Sequence, residues 1–137
     1  MPIEACVLVG MALLTAAMIL AHVVSALVEG RFHWALGARD ENSQPGKFGG
    51  RAERALRNQL EASALYLPLA VALLTSHANT LTTAKGAALF FTARVVYAPL
   101  YWLGVPYLRT MVFGAGLFGL AMMAAPAIEA ALVGLGY

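Results

Sequence analysis

The stretch Arg51-Ala52-Glu53-Arg54-Ala55-Leu56-Arg57-Asn58-Gln59-Leu60-Glu61 gathers guanidinium, amide and carboxylate groups more densely than any other part of the chain. Apart from Asn58 these are good helix formers, and no Gly or Pro interrupts them. At about 100° per residue, Arg51, Arg54, Arg57, Asn58 and Glu61 fall within about 120° of one another. Such a stripe can hold carboxylates through forked donors, offer an amide as donor and acceptor, and receive an ammonium. A second grouping, Arg94, Tyr97 and Tyr101, recurs at i, i+3 and i+7 and shares one helix face. Arg109 stands alone a little further on.

The elements that position these groups are apolar. Hydrophobic residues make up 61% of the 137-residue chain and charged residues 12%, about half the charged share of a soluble domain. No charge occurs in residues 5–28, 62–84 or 110–128, and in 86–103 only Arg94 does. A spanning helix needs about 20 apolar residues. The composition therefore predicts an all-α membrane protein of one domain, a four-transmembrane-helix up-down bundle. Its helices are expected at about 3–29, 51–77, 82–103 and 107–132, with a polar loop at about 30–50. The first run lacks a basic flank and a small-residue cleavage site, so it is expected as a retained helix.

Charge placement suggests orientation. Arg31, Arg39, Lys47, Arg51, Arg54 and Arg57 lie between the first two runs and Arg109 between the last two, whereas the other side offers Lys85. The positive-inside rule puts loops 1 and 3 in the cytoplasm and both termini outside an inner or plasma membrane. Glu4 is expected to be solvated, Glu29 and Arg31 to face headgroups, and the glycine-, asparagine- and proline-rich 30–50 segment to lack regular structure. Pro68 and Pro99 should bend their helices, while Gly114, Gly116 and Gly119 should allow close helix approach. The lone Cys6 excludes an intrachain disulfide, and His22, His33 and His77 have no metal-ligand spacing. Nothing points to nucleic acid.

All the polar patches fall in the cytoplasmic half of the bilayer. Arg94 lies about 14 Å from the end of its helix at 1.5 Å per residue. An arginine at that depth must be paired or face a wet cavity. Glu61, at similar depth, is the expected partner, and a plain ion pair joining two helices is the simplest reading of the two.

In this arrangement the chain resembles the MAPEG superfamily, the membrane-associated proteins of eicosanoid and glutathione metabolism. The resemblance spans nearly the whole chain. It rests on four helices, the polar first loop, Arg54-Ala55-x-x-Asn58-x-x-Glu61, Ala93-Arg94-x-x-Tyr97-x-x-x-Tyr101, and Arg109. It implies a homotrimer with glutathione, as co-substrate, held between subunits. By that resemblance Arg54, Arg57, Asn58, Glu61, Arg94, Tyr97 and Tyr101 bind glutathione and Arg109 stabilises its thiolate for attack on a lipophilic electrophile or hydroperoxide. Ala64, Phe113 and Leu56 depart from eicosanoid members, as in a divergent, prokaryotic-type branch. Two alternatives follow: a non-catalytic, lipid-binding or scaffold member of the same fold, and a small multidrug exporter. The exporter reading is weakened by the lack of any carboxylate in residues 5–28.

Overall fold

A computed structural model describes residues 1–38 and 43–134. Arg39, counted above in the first loop, lies outside the described residues. The chain is all-helical, with α1 (Ile3–Val28), α2 (Phe32–Leu36), α3 (Lys47–Thr75), α4 (Leu81–Leu103) and α5 (Pro106–Gly134). Three of these, α1, α4 and α5, are long and apolar enough to cross a membrane. The remaining long helix, α3, carries its charges in its first half. Pro68, Pro99 and Pro126 sit inside helices that continue through them.

The exterior is apolar, with Leu13, Leu20, Val28, Phe118 and Val133 among the exposed side chains, while Glu4, Gln59, Thr83 and Arg94 are buried. Contiguous exposed apolar surface of this kind suits lipid rather than water. Helices α4 and α5 form the most extensive contact. Gly86 and Gly119 make it possible, because a Cβ on either would lie 2.6 Å from the other's backbone oxygen. Gly116 faces Ala93, but Gly114 faces open space and has no part in the approach. Across the core, Tyr66 stacks on Phe90 with centroids 5.0 Å apart and donates a 2.9 Å hydrogen bond to the Glu4 carbonyl.

At three helix ends, side chains distant in sequence make contacts that residue order did not suggest. Glu29 accepts hydrogen bonds from the N–H groups of Gly46 (3.0 Å) and Gly49 (2.9 Å) and pairs with Arg31 at 3.3 Å. A carboxylate at a helix N-terminus satisfies orphan donors and the helix dipole. It reaches them because a Cβ on Gly46 or Gly49 would meet Glu29 oxygens at 2.6 and 2.5 Å. Thus α3 starts at Lys47, ahead of the expected position, and part of the first loop forms α2. Glu4 is likewise buried rather than solvated. It accepts a 2.5 Å hydrogen bond from Thr83, which forms a reciprocal capping box with Thr80 at the start of α4. At the far end of α4, Gly104 closes the helix at φ +76°, and Arg51 donates to the Trp102 carbonyl at 3.2 Å. A cation at a helix C-terminus is favourable, so Arg51 turns inward instead of anchoring to headgroups.

Candidate functional site

The polar first half of α3 faces the second half of α4 and the start of α5. Arg94, 3% exposed, donates from Nε to Gln59 Oε1 and from Nη1 to Asn58 Oδ1, both at 2.9 Å. Two neighbouring α3 side chains therefore fix one guanidinium. Its Nη2 finds no hydrogen-bond acceptor among the described residues. The guanidinium carbon lies 4.4 Å from the Tyr97 ring centroid, and an aromatic face attracts a cation at that range.

From there a ladder of rings and charges runs toward the end of the bundle. Tyr97 and Tyr101 have centroids 5.5 Å apart, and the Arg109 guanidinium carbon is 4.5 Å from the Tyr101 centroid. Tyr97 also meets Phe113 at 6.3 Å. Asn58, Tyr97, Tyr101, Arg109, Thr110 and Phe113 line a cleft of about 220 Å³. Since Asn58 Oδ1 is occupied by Arg94, the group Asn58 has left for a ligand is its amide donor. Deeper, between α3, α4 and α5, lies an apolar cavity of about 120 Å³, whose polar members are Asn58, Glu61 and Arg94. Asn58 and Phe113 border both spaces.

Of the residues singled out in the sequence, the fold brings Asn58, Arg94, Tyr97, Tyr101 and Arg109 into one cluster. Glu61 borders the adjoining cavity. Arg54 and Arg57 are exposed and line neither space; the Arg54 guanidinium lies back along α3, with Nη1 3.3 Å from a Cβ built on Gly50. The expected Arg94–Glu61 pair is not formed. Among the described residues the ion pair found is Arg31–Glu29. Depth along the membrane normal suggested Glu61, which does line the same cavity as Arg94, but the two hydrogen bonds of Arg94 go to the amide oxygens of Gln59 and Asn58.

Gln59 is the residue that sequence reasoning overlooked. A signal was present: the buried face of α3 runs Ala52, Ala55, Gln59, Ala62, Tyr66, Ala70 and Leu73, steps of three and four residues that mark one helix face. A lone carboxamide in that alanine-rich row needs a buried partner.

The sequence model of the MAPEG family matches residues 4–128. The chain belongs to the MAPEG family. The matched span takes in α1, α3, α4, most of α5 and every candidate site residue. No curated protein and no solved structure matches. The family includes glutathione transferases and peroxidases. Membership and the three apolar helices together make this a membrane protein.

Proposed function

We propose that this MAPEG-family chain binds glutathione in the Asn58–Tyr97–Tyr101–Arg109 cleft and activates its thiol for attack on a lipophilic electrophile or hydroperoxide. The observation that carries the reading is the ladder Arg94–Tyr97–Tyr101–Arg109, bordering a polar cleft that adjoins an apolar cavity. A peptide carrying charge, hydrogen-bonding groups and a thiol needs the first space. A water-insoluble partner suits the second.

Each side chain has a role in this proposal. Arg54 and Arg57 hold the glutathione carboxylates as bidentate donors. Asn58 donates its amide N–H, Glu61 receives the ammonium, and the Tyr97 and Tyr101 hydroxyls contact the peptide. Arg94 stays in its buried anchorage. The Arg109 guanidinium stabilises the thiolate, whose pKa when free is about 8.5. With an aromatic halide, the thiolate sulfur bonds to the ring carbon and the halide leaves with its electron pair, while the thiol proton has already passed to solvent. Proximity and activation suffice for such a substitution.

Because Arg54 and Arg57 lie outside the single-chain cleft, the proposal includes a homotrimer in which this exposed α3 stripe meets a neighbour. It also has all four long helices crossing the membrane, with the cleft on the cytoplasmic side, both termini outside and lipid around the apolar exterior. A lipid-binding, non-catalytic role is the second reading, favoured by the apolar lining of the deeper cavity. Purified protein in detergent, assayed with glutathione and a generic aromatic halide, decides between them. Arg109→Ala should lower turnover on the order of 10²-fold, as loss of one preorganised charge donor does, with glutathione binding largely kept. Unchanged turnover refutes the role of Arg109, and no saturable glutathione binding by the unaltered protein refutes the proposal.

A further inference from the structure

Gln59, on α3, is wholly buried and its side chain touches two other helices. Its Oε1 accepts from Arg94 on α4, and its Nε2 lies 3.3 Å from Thr15 Oγ1 and 3.7 Å from Met11 Sδ on α1. The orientation of the amide is forced by its neighbours. Arginine has donors only, so the carbonyl must face Arg94, and the NH₂ is left for two acceptors on α1. The partner on α4 then stacks on Tyr97, the first rung of the ladder that leads to Arg109.

We propose that Gln59 is a positioning residue for the glutathione cleft. It fixes the Arg94 guanidinium against Tyr97 from one side and ties that arrangement to α1 from the other. It reaches a ligand only through Arg94, Asn58's shared hold on that guanidinium, and the tyrosines. This inference rests on the glutathione reading given above. Its physical core is that Arg94 has two side-chain anchors. With one anchor gone, the guanidinium can pivot about Asn58, and the Tyr97 ring loses a fixed partner. Asn58 would then also be free to turn its amide away from the cleft. An acceptor of the same shape at position 59 restores the anchor even if it carries charge, because the Thr15 hydroxyl can reverse and donate to it.

Glutathione affinity and the thermal midpoint are to be measured on detergent-purified wild type, Gln59→Leu and Gln59→Glu. The expected result is about a tenfold loss of affinity in Gln59→Leu, with Gln59→Glu within about threefold of wild type. Saturable binding by wild type, together with unchanged affinity in Gln59→Leu, overturns the inference and leaves the glutathione reading standing. Equal loss in both variants also overturns it, since Gln59→Glu keeps the acceptor for Arg94 that the proposal requires. A variant that fails to fold is replaced by Thr15→Val, which removes the α1 tie alone. There a loss of about threefold or more is expected, and wild-type affinity overturns the proposal. Absence of glutathione binding in wild type refutes the glutathione reading, and this inference falls with it.

Discussion

Replacing three glycines of α5 in turn by alanine measures how closely α4 and α5 must approach. Gly→Ala within a helix gains about 0.5–1 kcal/mol where the methyl group meets no obstacle. A Cβ on Gly114 would meet nothing within 4 Å, and one on Gly116 would rest 3.5 Å from Ala93 Cβ, an ordinary contact. At Gly119 it would stand 2.6 Å from the Gly86 oxygen and 2.9 Å from the Phe90 nitrogen. Both are backbone atoms and have no rotamer to yield. Restoring contact from 2.6 Å to 3.4 Å opens the helix pair by about 0.8 Å. A radial gap of about 0.5–1 Å forfeits a quarter to a half of the dispersion well for each atom pair it separates. The cost should therefore reach the upper end of the overpacking range, about 3 kcal/mol. That outweighs the propensity gain, for a net loss of about 2 kcal/mol. Thermal unfolding in one fixed detergent should rank Gly114→Ala and Gly116→Ala at or above wild type, and Gly119→Ala several degrees below. Gly86→Ala, clashing with the Gly119 oxygen at 2.6 Å, should cost a similar amount. The double variant should cost less than the sum, because one separation relieves both clashes. A Gly119→Ala protein as stable as Gly114→Ala would refute the reasoning.

Two further outcomes follow from the caps and the core. Tyr66→Phe keeps the stack on Phe90 but removes the hydrogen bond to the Glu4 carbonyl, so it should cost about 1 kcal/mol. An unchanged unfolding midpoint would show that bond to be idle. The Gly46 N–H foremost, then the Gly49 N–H and the Arg31 guanidinium, outweigh desolvation and hold the Glu29 carboxyl below its ordinary value of 4.5. A depressed carboxyl contributes stability that is complete above pH 4.5 and fades as pH falls through the folded-state value. Glu29→Ala should therefore lower the midpoint at pH 7, and the gap to wild type should narrow below pH 4.5; a gap independent of pH would contradict this cap.

Much of the candidate site could be read from residue order. The stripe of α3 and the i, i+3, i+7 face of α4 depend only on helical periodicity, which fixes azimuth within one helix. Periodicity alone brought Tyr97 and Tyr101 onto the face of Arg94. Partner choice between helices was not legible in the same way. Attraction of opposite charge pointed to Glu61, but the interior offered Arg94 two neutral amide acceptors instead. Arg54 and Arg57 belong to the same stripe, yet a single chain leaves them outside the cleft.

By itself, the sequence determined a membrane-suited, all-helical chain and the family to which it belongs, because length, hydropathy and local motif spacing are properties of contiguous residues. Only the tertiary structure decided which groups meet. Glu4 finds Thr83 across 79 positions, Glu29 finds Gly49 across 20, and Arg94 finds Gln59 across 35. Such pairings depend on the rotation and offset of whole helices, and these are set by where glycines such as Gly86 and Gly119 let backbones touch.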